Sequence, residues 1–103
     1  MPQVHALGPV AQIPEGEGRT FTVGSRQVAV FRTRAGKVYA TQAECPHRQG
    51  PLADGLLGTD TLVCPLHEWS FDLNTGESRL GGCSLTVYPI AQAPDGTLLL
   101  TLE

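Results

Sequence analysis

The apolar positions of this chain come in short runs. Stretches rich in Val, Phe, Tyr, Thr and Leu recur between Gly, Pro, Asn and Asp, while the three-and-four spacing of an amphipathic helix is almost absent. The pattern predicts an all-β chain. Gln3 to Leu7 reads as a first strand, followed by a loop held between Gly8-Pro9 and Pro14-Glu15-Gly16-Glu17-Gly18. Thr20 to Val23 and Gln27 to Thr33 read as a hairpin across Gly24-Ser25, and Val38 to Gln42 follows a turn at Ala35-Gly36, making a meander. Pro51 to Asp60 is turn-rich and crosses to a strand at Thr61 to Val63. Trp69 to Asp72 is expected to pair with Glu77 to Arg79 around Asn74-Thr75-Gly76, where Asn and Gly accept positive φ. Ser84 to Ala91 and Gly96 to Leu102 read as a closing hairpin around Pro94-Asp95-Gly96.

Two stretches stand apart from this pattern: Cys45-Pro46-His47 and, sixteen residues on, Cys64-Pro65-Leu66-His67. Ligands two and three positions apart suit a tight loop that turns both side chains toward one centre; neither spacing works in mid-helix or on a flat strand. Pro46 and Pro65 fix the backbone directly after each cysteine, and Gly50 lets the chain curl closely past a bound group. Two thiols and two imidazoles on two such loops read as a metal site. Zinc fingers usually pair Cys with Cys and His with His. Here each loop carries one of each, which leaves a zinc site of unusual order or a mixed iron–sulfur centre.

Composition narrows the classes. With 103 residues the chain suits one domain, 1–103. A formal charge of −3 and no basic block argue against nucleic acid as a partner. No run approaches a membrane-spanning apolar stretch, and the first residues lack the basic and apolar regions of a leader, so a cytoplasmic, unanchored protein is expected. Of three cysteines, Cys45 and Cys64 belong to the loops, leaving Cys83 alone. No intramolecular disulfide is then possible without dismantling the site, which suits a reducing compartment.

The two loops, together with the trailing Trp69-Ser70-Phe71-Asp72-Leu73-Asn74-Thr75-Gly76, resemble the Rieske motif. The resemblance implies one [2Fe–2S] cluster, with Cys45 and Cys64 on one iron and His47 and His67 on the other. It also implies a fold of three antiparallel sheets, in which a small cluster-binding subdomain, about 43–83, is inserted in a β-sandwich-like base. With two thiolates and two neutral imidazoles the oxidised centre is neutral, and it accepts an electron more readily than one held by four thiolates. Rieske centres span roughly −150 to +300 mV. Respiratory members carry an extra cysteine in each loop, where this chain has Gly50 and Leu66, and hydroxyl donors where it has Trp69 and Phe71. Their absence points away from the respiratory branch and toward the low end of that range. The imidazoles are also expected to couple reduction to proton uptake.

The chain offers little else with which to do chemistry. The mononuclear iron of a Rieske oxygenase needs two further histidines and a carboxylate, and only His5 remains. Gly16-Glu17-Gly18 lacks the strand-to-helix setting of a nucleotide fingerprint. An electron carrier rather than an enzyme is therefore expected, a soluble Rieske-type ferredoxin passing electrons from a reductase to a terminal oxidoreductase. Val38 to His47, with Pro51-Leu52-Ala53-Asp54-Gly55, is similar to small subunits of NAD(P)H-dependent nitrite reductases and to ferredoxin components of aromatic-ring oxygenase systems. These imply as partners a nitrite reductase large subunit, or a flavin reductase with a terminal oxygenase. A non-redox zinc scaffold is the reading from another class. Arg48, Gln49, Leu66 and Glu68 flank the ligands and are expected to form a docking rim. Trp69 reads as a core residue and His5 as a packing or surface histidine on an edge strand. Cys83, after Gly81-Gly82, reads as a small packed side chain or as a thiol beside the cluster.

Overall fold

The computed structural model describes residues 3–44, 52–63, 70–77 and 84–102. Its strands are β1 (Gln3–Pro9), β2 (Glu17–Val23), β3 (Arg26–Arg32), β4 (Val38–Gln42), β5 (Leu56–Leu57), β6 (Thr61–Val63), β7 (Ser70–Asp72), β8 (Val87–Tyr88), β9 (Ile90–Gln92) and β10 (Thr97–Leu102). They form three sheets, in the orders β1-β10-β9, β2-β3-β4-β8 and β5-β6-β7. Every pairing is antiparallel. This is the all-β, three-sheet architecture that the residue pattern and the resemblance imply.

Strand β3 shows why the sheets stack as they do. Its run Val28-Ala29-Val30-Phe31 is fully buried, and the alternation of a strand sends successive side chains to opposite faces. Val28 and Val30 join Ile13, Ala40, Leu98, Leu100 and Leu102 in a core between the two larger sheets. Ala29 and Phe31 join Leu52, Leu62, Phe71, Leu73 and Leu85 in a second core under the small β5-β6-β7 sheet. One strand buried on both faces thus belongs to both hydrophobic cores. Strand β10 shows the half-buried pattern, with Leu98, Leu100 and Leu102 buried at alternate positions. Each such leucine contributes roughly 1.5–3 kcal/mol relative to an exposed one.

The structure departs from the sequence reading at four places. Strand β2 begins at Glu17, not Thr20: Gly18 to Val23 pair with β3, and Glu17 pairs with Arg32. The single strand expected from Ser84 to Ala91 is split, because Pro89 has no N–H to continue a ladder. Val87–Tyr88 pairs with β4 and Ile90–Gln92 with β10, so the chain changes sheets at that proline. Leu56–Leu57 forms a short strand on Leu62 and Val63, within a stretch that reads as turn alone. The turn at Asn74-Thr75-Gly76 is present, with Asp72 N–H bonded to the Glu77 carbonyl at 2.9 Å. Glu77, however, makes an isolated bridge to Ser84 rather than starting a strand beside β7; Ser78 and Arg79 lie outside the described residues. The last hairpin closes as expected, with Ala93 N–H donating to the Thr97 carbonyl at 2.8 Å.

Candidate metal centre

The four expected ligands, Cys45, His47, Cys64 and His67, lie outside the described residues, as do Arg48, Gln49, Leu66, Glu68, Trp69 and Cys83. What the structure gives is the scaffold on which their segments are mounted. Segment 45–51 is closed at its base by the Leu52 N–H, which donates to the Ala43 carbonyl at 3.0 Å. Segment 64–69 is closed by the Val63–Ser70 pair at the end of the β6–β7 ladder. Segment 78–83 is closed by the Glu77–Ser84 bridge, backed by the Leu85 N–H donating to the Gly76 carbonyl at 2.7 Å.

The three bases are fastened to one another. Their adjoining residues Leu52, Leu62, Phe71, Leu73 and Leu85 share the small core with Ala29 and Phe31 of β3. The first two bases also meet at Gly55, whose N–H donates to the Leu52 carbonyl at 2.9 Å. A Cβ at this position would lie 2.4 Å from the Val63 carbonyl oxygen and 3.2 Å from that of Leu52. Only a residue without a side chain lets the strand bearing Val63 approach so closely. Since Leu52 follows the first donor segment and Val63 immediately precedes Cys64, the two segments are anchored side by side. Gly76 plays the corresponding part for the third segment: its φ is +81°, and a Cβ there would lie 2.2 Å from the Leu85 carbonyl oxygen. Neither role is evident from a glycine in a turn-rich stretch. The usable signal is that each follows closely on a donor-bearing segment.

His5 lies half-buried on β1, at the edge of the base sheet and paired with Leu100, in keeping with a packing role. Among the described residues no three His, Cys, Asp or Glu side chains come together as a metal site, and no helix is long and apolar enough to cross a membrane. The Asp95 carboxyl, fully exposed in the last hairpin, is held below its ordinary value chiefly by the Thr97 backbone N–H, with the Thr97 hydroxyl adding to it. It belongs to the turn and not to the donor segments.

The donor set itself suits one particular group. Two thiolates with two imidazoles, one of each per loop, match the mixed ligation of a Rieske [2Fe–2S] centre, where two His replace two Cys on one iron. Comparison with known proteins agrees. The model of the Rieske [2Fe-2S] domain matches residues 3–89. The 3-phenylpropionate/cinnamic acid dioxygenase ferredoxin subunit of Escherichia coli K12 is 38% identical over 85 residues, covering 80% of this chain and 78% of that protein. In a solved complex of reduced oxygenase and oxidised ferredoxin from carbazole 1,9a-dioxygenase, the matched chain is 26% identical with a TM-score of 0.77, covering 92% of this chain and 99% of that one. A Mycobacterium tuberculosis protein provisionally assigned as an NADH-dependent nitrite reductase small subunit has the same fold, with a TM-score of 0.91 at 21% identity, covering 100% of this chain and 97% of that one. Some relatives are far longer. The NAD(P)H nitrite reductase of Emericella nidulans is 36% identical over 91 residues, 77% of this chain, and the chain spans 8% of it; another relative is spanned to 21%. The chain belongs to the Rieske [2Fe-2S] domain family, whose cofactor is one [2Fe–2S] cluster.

Proposed function

We propose that this chain carries electrons one at a time from a flavin reductase to a terminal oxygenase, with Cys45 and Cys64 on one iron of the cluster and His47 and His67 on the other. Residues 1–103 act as one Rieske unit, in which about 43–83 form the cluster-binding part. The observation that carries this reading is the meeting of the bases of the two donor segments at Gly55, on a core shared with Leu85 beyond the third segment. It supports four donors converging from two loops rather than two separate sites. When bound, the cluster supplies a reversible one-electron couple.

The protein's own residues hold the loop bases still. Backbone pairs at Ala43–Leu52, Val63–Ser70 and Glu77–Ser84 fix the ends of each segment. Buried residues adjoining those ends pack together in the small core. Rigid bases keep the donors in place in both oxidation states, which suits repeated electron transfer. Arg48, Gln49, Leu66 and Glu68, beside the ligands in sequence, are the docking rim of this proposal. A cytoplasmic setting follows from the cysteine usage, since a reducing compartment leaves the two ligand thiols free for iron.

The similarity to a dioxygenase ferredoxin subunit over most of both chains supports the oxygenase context. The nitrite reductase similarity favours a second reading, in which the chain serves as or within a small subunit of an NAD(P)H-dependent nitrite reductase. Stopped-flow mixing separates them. Reduction by NADH through the flavin reductase of an aromatic-ring dioxygenase system, followed by reoxidation by its oxygenase, is the expected result. Reduction only in the presence of a nitrite reductase large subunit would move the assignment to the second reading. In either context the midpoint is expected near the low end for the class, about −150 mV. A redox titration giving a value well above zero would contradict the inference drawn from Trp69 and Phe71.

A further inference from the structure

At a hydrogen-bonded pair in an antiparallel ladder the two residues usually exchange two backbone bonds. One step beyond the Thr41–Val87 pair of β4 and β8, only one of the two is made. The Gln42 N–H donates to the Thr86 carbonyl at 3.0 Å. The Gln42 carbonyl instead accepts the hydroxyl of the fully buried Thr41 at 2.8 Å. The Thr86 N–H is taken by the glutamine side chain, whose Oε1 accepts it at 2.9 Å. The other end of the same carboxamide, Nε2, donates to the Glu44 carbonyl at 2.7 Å.

This single side chain replaces a missing ladder bond and grips the peptide unit that leads directly into Cys45. Because a peptide unit is planar, fixing the Glu44 oxygen restrains the orientation in which the chain sets out for the first ligand. Between these two contacts, the Ala43 carbonyl receives the Leu52 N–H that closes the same segment. Residues 42–44 are therefore held from both sides. A carboxamide of this length both accepts from Thr86 and donates to Glu44: an ionised Glu lacks the donor, and Met keeps the length with no donor and only a weak acceptor.

We propose that Gln42 is a positioning residue, which couples the approach to Cys45 to the Thr86 backbone beyond the third segment and so sets how firmly the cluster is retained. The proposal rests on Cys45 being a cluster ligand. It is tested on the purified holoprotein with the variants Gln42→Met and Gln42→Glu. The first control is Gln12→Met, which removes a side-chain bond from the first loop of the base to the Leu7 carbonyl of β1. The second is Leu100→Ala, which weakens the core between the two base sheets. Three quantities are read: metal loss to a chelator, hydrogen exchange at the Thr86 amide, and thermal midpoint.

Gln42→Met is expected to expose the Thr86 amide and speed metal loss about tenfold, the effect of losing two modest hydrogen bonds behind a ligand. Gln42→Glu should leave Thr86 protected yet also speed metal loss, because its carboxylate has no proton for Glu44. Gln12→Met should change neither. Wild-type metal loss in Gln42→Met would overturn the proposal. So would metal loss matched by Leu100→Ala at the same drop in thermal midpoint, since that is the mark of general destabilisation. If the wild-type protein holds zinc instead of iron, the electron-carrier reading fails, while the chelator comparison still decides the part played by Gln42.

Discussion

The base of this protein and the small sheet beside it are built by different means. The base has ladders of up to seven paired residues, as between β2 and β3, around a core of aliphatic side chains. The small sheet has strands of two or three residues, and its order comes from Phe71, Leu62 and Leu52 packed on β3, and from two glycines at points of close backbone approach. The base stands on periodic burial that many aliphatic residues could supply. The small sheet stands on a few contacts that bring three loop bases together, and few other residues could supply them. Damage to the core between the base sheets should therefore lower stability without altering the cluster, whereas damage to the small sheet should register in the cluster first.

The largest effect is expected from Phe71→Ala, which removes a fully buried ring from the core that the residues adjoining the three loop bases share. A loss of about 3–5 kcal/mol is expected from denaturant unfolding, together with an altered visible circular dichroism of the cluster. Leu100→Ala, in the other core, is expected to cost about 2–5 kcal/mol but to leave that spectrum unchanged while the protein is folded. An altered spectrum in Leu100→Ala would break the distinction between the two regions. Gly55→Ala comes next. Its Cβ has no room against the Val63 carbonyl, so backbone must shift, at a cost of about 2 kcal/mol, and iron content should fall more than thermal stability does.

The smallest effect is expected at Asp95, far from the donor segments in sequence and on the base hairpin. Its carboxyl accepts the Thr97 N–H at 3.0 Å and is held below its ordinary value. A depressed folded-state pKa means that the ionised group stabilises the turn at pH above its unfolded pKa, and that this contribution is lost as pH falls through the folded value. The Thr97 amide resonance, followed by NMR, should stay constant at neutral pH and move only below the ordinary carboxylate range. Asp95→Asn should abolish that movement and leave the cluster spectrum as it was.

Much of the base was legible in the sequence because burial writes itself there as alternation. Leu98, Leu100 and Leu102 are one face of a strand, and the continuous run Val28 to Phe31 marks a strand buried on both faces. What misled was local: Pro89 interrupts an apolar run whose composition reads as one strand, and Leu56–Leu57 is too short to show a period. The donor pattern was legible as chemistry, since two Cys/His loops are rare by chance and the family match bears out the cluster that they imply. The scaffold under the donors was not legible. Gly55 and Gly76 look like any turn glycines until Val63 and Leu85 are seen against them, and the part played by Gln42 depends on a ladder bond that sequence does not show to be missing.

In the function proposed above, two thiols and two imidazoles from these loops hold a one-electron iron–sulfur centre. It is tested most directly by purifying the protein without oxygen, measuring iron, sulfide and zinc, and recording its electron paramagnetic resonance before and after dithionite. About two irons and two sulfides per chain are expected, with a signal only after reduction that carries hyperfine coupling to histidine nitrogen. That coupling should vanish in His47→Cys/His67→Cys if the double variant retains its cluster. A colourless protein with one zinc and no signal, or a reduced cluster without nitrogen coupling, would contradict it.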